Sequence, residues 1–223
     1  MNRAKRAYAL YLARRLGVGA LLLCLLLGCL CSCQKDEPEE EAVLTAIDYD
    51  VVEDWSEYVL LSQYTGLEIC LQQEADSKSE QVWKTVLGQA EILHYPEEQV
   101  SYYAAQTRAT YRYYAQQNGW SLEETMEKLG VTEESILAEA RDMVKGDLVY
   151  RYIVADAGIA LTEEEKASLF DRYARQYAET YGYELSYVTA SLSELVYDSM
   201  LYDKTMEYLI VNNTFVVSAE EIS

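Results

Sequence analysis

Three cysteines stand at alternate positions, Cys29, Cys31 and Cys33, at the end of an apolar run. A thiol there can ligate a metal, form a disulfide or be acylated. A structural zinc site needs ligand pairs spaced by about two residues and a second pair elsewhere, and this run supplies neither. A disulfide framework is not expected, because Cys70 is the only cysteine beyond this cluster apart from Cys24 inside the apolar run itself. Acylation fits. Leu26-Leu27-Gly28-Cys29 resembles the bacterial lipobox, in which a small residue precedes a cysteine that is lipidated and becomes the first residue of the mature chain. Cys29 has the better apolar approach, and Cys33, after Leu30-Cys31-Ser32, is the alternative. Two or more acyl chains, at about 0.8 kcal/mol per buried CH₂, hold a protein firmly to a bilayer.

What precedes the cysteines agrees. Arg3, Lys5, Arg6, Arg14 and Arg15 form a positive front, and Leu16–Gly28 is an apolar run of 13 residues. That is short of the ~20 residues of a membrane-spanning helix and reads as a signal peptide, residues 1–28. Gln34–Ala42 is charged and reads as an acidic tether, residues 29–42. The expected location is the extracytoplasmic face of a bacterial cell membrane, held by lipid.

The whole chain carries a net charge of −20; removing residues 1–28 takes away five basic and no acidic residues and leaves −25. So acidic a body lacks the positive footprint of a nucleic-acid surface and does not lie flat on anionic lipid. Cys70 is expected to be a small buried hydrophobe.

Other chemistry is sparse. His94 is the lone histidine and reads as a cap or interface residue beside Tyr95 and Pro96. No nucleophile elbow, P-loop or dinucleotide fingerprint occurs. Glu123 with Glu124, Glu133 with Glu134, and Glu163 with Glu164 and Glu165 fall in first helical turns, where carboxylates complement the helix dipole. Asp142, Asp147 and Asp156 lack calcium-loop spacing. No catalytic residue, metal site or cofactor is assigned, and an enzyme is not expected.

The tyrosines are the unusual feature: 21, against two phenylalanines. Tyrosine offers broad apolar contact at low rotamer cost and tolerates water. Tyr102, Tyr113, Tyr183 and Tyr187 are the candidates for exposed contact with polypeptide; Phe170, Tyr173, Tyr177 and Tyr181, at steps of three and four, read as a core stripe.

The elements that carry them are mainly helical. Residues 43–94 form a mixed segment. Val51, Val52, Trp55, Tyr58 and Val59 could share a helical face. Leu67, Ile69 and Leu71 alternate, so a short strand is expected near 67–71 after a turn at Tyr64-Thr65-Gly66. From Val82 a helical pattern continues to about His94. Residues 95–217 read as a helical domain. Pro96 sits at a first helical position and Gly119 ends that helix. Ser121 to Glu124, Thr162 to Glu165 and Ser191 to Glu194 all match capping boxes. Thr132 caps the longest helix, with Ile136, Ala140, Val144, Leu148 and Tyr152 on one face and Gly158 as its stop. Gly182–Ser191 is expected to be non-helical, and the last helix presents Leu195, Tyr202, Met206 and Leu209.

This order, from Tyr95-Pro96-Glu97-Glu98 to a closing helix that ends at Val216, resembles the C-terminal substrate-cradling domain of trigger factor, and Val59–Ile69 resembles the segment before that family's prolyl isomerase domain. The resemblance covers about residues 59–216. It implies a multi-helix chaperone module, also similar to the chaperone part of extracytoplasmic parvulin-type foldases. The family's ribosome-docking domain has no counterpart, so a ribosome partner is not expected. The 23 residues between Leu71 and Tyr95 are too few for an isomerase domain. The function implied is an anchored holdase for unfolded or secreted polypeptides; the alternative is a non-catalytic lipoprotein adaptor or structural subunit of a surface complex.

Overall fold

A computed structural model describes residues 52, 54–73 and 76–217. Cys29, Cys33, the leader and the acidic tether lie outside the described residues. The described chain is mainly helical with a few short strands. A 3-10 turn, Trp55–Glu57, precedes β1 (Val59–Leu60) and β2 (Glu68–Leu71). Then come α1 (Lys78–Gln89), β3 (Glu91–Ile92), α2 (Glu97–Asn118), α3 (Leu122–Leu129) and α4 (Glu133–Asp156). The chain continues with α5 (Glu163–Tyr181), α6 (Leu185–Ser191), α7 (Ser193–Val211) and β4 (Thr214–Val217). Contacts group these into two compact units, one of residues 55–91 with 148–217 and one of residues 92–147. Among the described residues no helix is long and apolar enough to cross a membrane.

In the first unit α1 packs on α7 and on β2, and α5 packs on α7 and α6. Val82 and Val86, one turn apart, put the core face of α1 at zero exposure, and Val196, Met200 and Leu209 are buried on α7. Ser77 starts α1 by accepting the Glu80 N–H. β2 and β4 pair in parallel, Glu68 opposite Thr214 and Leu71 opposite Val217. This strand pair corrects the expectation that the last helix runs to Val216. α7 stops at Val211 because Asn212 and Asn213 take over the backbone groups there. The Asn213 side chain accepts from Leu67 N–H at 2.7 Å and donates to Tyr64 C=O at 3.0 Å and Leu209 C=O at 2.6 Å. One side chain thus fixes the end of α7 to the entrance of β2. Asn213→Ala removes all three bonds; the expected loss is about 2–3 kcal/mol of unfolding free energy, at roughly 1 kcal/mol per bond, checked by urea denaturation.

The alternation at 67–71 also places Cys70. Ile69 and Leu71 are buried at 3% and 2% exposure, so Cys70 faces the other way and is an exposed free thiol. The expectation of a buried cysteine is corrected. So is that of a non-helical 182–191, where Leu185–Ser191 forms α6. The third capping box does not form either: α7 starts at Ser193 behind Leu192, with no side-chain cap bond. Pro96 caps α2 and does not open it. α1 ends at Gln89, and β3 takes the place of a helix continuing to His94.

The box at Thr162 forms in both directions: Thr162 accepts Glu165 N–H, and Glu165 accepts Thr162 N–H at 2.7 Å. Glu165 also holds Lys204 of α7, whose Nζ lies 2.7 Å from each carboxylate oxygen and 2.8 Å from Ala160 C=O. Lys204 first, then the Thr162 backbone, draws the Glu165 carboxyl from its ordinary 4.5 down to about 2. With the folded-state pKa below the unfolded one, the contact stabilises fully above about pH 4.5 and is lost as pH falls towards 2. Lys204→Met should therefore lower stability at pH 7 while leaving stability near pH 2 almost unchanged, as urea denaturation at the two pH values will read.

In the second unit α2 packs on α3. Val100, Tyr103, Ala104 and Ala115 of α2 are buried with Ile136, Ala140 and Val144 of α4. Polar groups join the interior as well: Tyr103 donates to Asp147, both buried. At the surface Arg108 bridges to Glu133 at 2.8 Å.

Candidate functional site

Two local devices build the turn between α2 and α3. Gly119 takes a left-handed φ of 66°, its N–H reaching back to α2, and Trp120 N–H bonds Ala115 C=O at 2.9 Å. Ser121 then opens α3 with a full capping box on Glu124. Trp120 is held between a helix stop and a helix start, so its backbone has little freedom.

Around this turn lies a groove of about 450 Å³ lined by Tyr114, Asn118, Trp120, Thr125 and Leu129. Asn118 and Thr125 spend their polar atoms locally. Asn118 donates to Tyr114 C=O at 2.8 Å and Thr125 to Ser121 C=O at 2.9 Å. The surface offered to solvent is therefore apolar. Tyr114 is 50% exposed, Trp120 39% and Leu129 54%. Tyr113 extends it, its ring 6.2 Å from that of Tyr114. Lys128 lays its ammonium 4.9 Å over the Trp120 ring, which shields one ring face and keeps a charge at the rim. The turn thus presents exposed aromatic and apolar side chains on a backbone fixed at both ends.

Of the four sequence candidates, Tyr113 belongs to this groove's edge. Tyr102 sits about 16 Å away along α2, half-buried, its ring edge-on to Tyr103 at 5.7 Å. Tyr183 and Tyr187 lie in the first unit, their rings 5.6 Å apart. They continue a chain of contacts from Tyr177 to Tyr181 at 4.5 Å and from Tyr181 to Tyr183 at 6.4 Å. The stripe expected as core divides. Tyr177 is buried, whereas Phe170, Tyr173 and Tyr181 are half-buried. Tyr173 donates to Asp203 at 2.9 Å; burial, with Asp203 beside it, pushes its phenol up to about 12. Burial and then Tyr183 raise Tyr181 to about 12 as well.

Sequence reasoning did not single out Tyr114, Trp120 or Leu129. The signal was present in Gly119-Trp120-Ser121: a tryptophan between a helix terminator and an N-cap has no helix face on which to bury itself. Among the described residues no group of three His, Cys, Asp or Glu side chains is set to hold a metal ion. His94 is exposed in the segment before α2. The acidic pairs lie in the first turns of α3, α4 and α5.

No known protein family, curated protein or solved structure matches this chain.

Proposed function

We propose that this protein is a holdase: a lipid-anchored, extracytoplasmic chaperone that reversibly covers apolar segments of unfolded or secreted polypeptides, without a cofactor. The observation that carries the reading is the groove at the α2–α3 turn, where Tyr114, Trp120 and Leu129 stand exposed on a backbone fixed by two caps. The lipobox-like Leu26-Leu27-Gly28-Cys29 supports the anchor, and the pattern shared with the trigger factor cradle supports the client class.

Magnitudes fit a transient grip. Covering roughly 80 Å² more of each of three side chains, at ~25 cal/mol per Å², yields about 6 kcal/mol. Association alone costs on the order of 4–15 kcal/mol. A single groove therefore binds weakly and lets go, as a holdase requires and a permanent subunit contact does not.

The direct measurement is light scattering of an aggregating unfolded protein with increasing amounts of this one. Suppression at a few-fold molar excess is expected; none at any ratio defeats the proposal. A single stoichiometric partner on copurification, in place of many weak ones, would favour the adaptor reading. Intact mass of the membrane-derived protein tests the anchor separately: a diacylglyceryl adduct on a chain beginning at Cys29 is expected.

A further inference from the structure

β2 and β4, of four residues each, make a parallel sheet with no third strand among the described residues. Its register shows which backbone groups are spent. Thr214 N–H donates to Leu67 C=O at 2.9 Å, and Glu68 stands opposite Thr214. Along a strand, alternate residues turn their N–H and C=O groups to opposite edges. Thr214 and Val216 therefore face β2, and Phe215 and Val217 turn their N–H and C=O groups to the outer edge. The side chains of Phe215 and Val217 share the face on which Ile69 and Leu71 are buried. That face is incomplete at β4. Phe215 is half-buried, with the Lys78 ammonium 5.2 Å over its ring, and Val217 is 50% exposed.

The two edges of this sheet differ. β2 opens with the exposed carboxylate Glu68, and α1 packs on it. Just past its end, Asp76 accepts the N–H groups of Gln72 and Gln73 at 2.8 and 3.1 Å. β4 reads Thr-Phe-Val-Val and holds no charge and no proline, the residues that usually blunt an edge strand. An unguarded edge of this kind is a template for another strand.

We propose that the outer edge of β4 takes an extended, proline-free segment of an unfolded polypeptide as a third strand. The added main chain pairs with the free groups of Phe215 and Val217, and its alternate apolar side chains cover those two residues. A second copy of this chain fits poorly. Each copy carries a net charge of −20, so two copies repel. An edge of about 13 Å also covers far less than the roughly 1,200 Å² of a stable interface between folded proteins. A flexible segment needs no such area, and lysines on it complement the acidic body. The edge belongs to the first unit and the aromatic groove to the second, and the inference stands without the holdase reading.

The test uses the full chain in a maltoside detergent and a fluorescein-labelled peptide of alternating valine and threonine with a lysine at each end. Anisotropy should show saturable binding at physiological salt. The same peptide N-methylated at every valine and threonine keeps its charge and side chains but has no inner donors; it should bind at least about tenfold more weakly. Val217→Pro removes a donor that faces away from β2, a position where an edge strand tolerates proline. It should weaken the peptide about fivefold or more and leave the urea midpoint nearly unchanged. Val216→Pro, which removes a bond to β2, should lower that midpoint. Equal binding of the methylated peptide, peptide binding indifferent to Val217→Pro, or a Val217→Pro chain as destabilised as Val216→Pro would each overturn the edge. Self-association of the chain that Val217→Pro abolishes would overturn it too, by assigning the edge to a second copy. Tyr114→Ser with Trp120→Ser should leave peptide binding intact, so the holdase groove and this edge fail separately; binding lost in that variant would place the peptide in the groove and overturn the edge.

Discussion

Replacing Tyr103 by alanine is expected to lower the unfolding free energy by about 3–5 kcal/mol, the range for truncating a large buried aromatic. Tyr103 has no solvent exposure and is the bulkiest of the fully buried side chains. It sits one turn from Val100 and beside Ala104 on the buried face of α2, and its hydroxyl donates to Asp147 of α4. The truncation therefore has two costs: a cavity among Val100, Ala104 and its α4 neighbours, and a buried carboxylate that loses a donor. Tyr103→Phe separates them. It keeps the ring and removes only the hydroxyl, so it should cost about 1–3 kcal/mol. Urea denaturation of the two variants checks both figures. If Tyr103→Phe were as damaging as Tyr103→Ala, the hydrogen bond and not the ring would hold α2 to α4. If both were silent, the assigned core of this unit would be wrong.

That pair shows which parts of the fold were legible in the sequence. The capping boxes at Ser121 and Thr162 and the glycine stops were legible, because a cap is a contact between residues three or four apart and its chemistry sits in one short word. The buried face Ile136, Ala140, Val144 and Leu148 was legible for the same reason: helical period needs no partner to be seen. What failed was long range. Tyr103 finds Asp147, Tyr64 finds Asp156, and Tyr173 finds Asp203. Nothing local in a tyrosine says that its hydroxyl meets a carboxylate dozens of residues away. β4 was lost likewise. Phe215–Val217 continues the apolar pattern of α7, and Asn212 with Asn213, the latter bonded to Tyr64 and Leu67, interrupts it. Even Ser191 to Glu194 failed for a tertiary reason: α6 occupies residues up to Ser191, so that serine is the end of one helix and cannot cap the next.

The site divides in the same way, and the division decides which variant will hurt function most. Tyr113 was read as exposed, and at 39% exposure it is. Yet it only borders the groove, whose lining is Tyr114, Trp120 and Leu129 with Asn118 and Thr125. Tyr114→Ser with Trp120→Ser should therefore abolish most aggregation suppression, raising the amount of protein needed about tenfold or more. Losing roughly 80 Å² of apolar contact at each position, at ~25 cal/mol per Å², removes about 4 kcal/mol from a grip already close to balance. Stability should change by less than ~1 kcal/mol, because both side chains are substantially exposed and neither backbone bond that fixes the turn involves a side chain of Trp120. Tyr102→Ser, on the same helix but half-buried against Tyr103, should leave suppression nearly intact. Ser121→Ala supplies the opposite control. It keeps every aromatic and removes the cap that sets their angle, costing about 1 kcal/mol of stability, and it should weaken suppression only in part. Suppression that survived the double serine variant would move the client surface away from the α2–α3 turn.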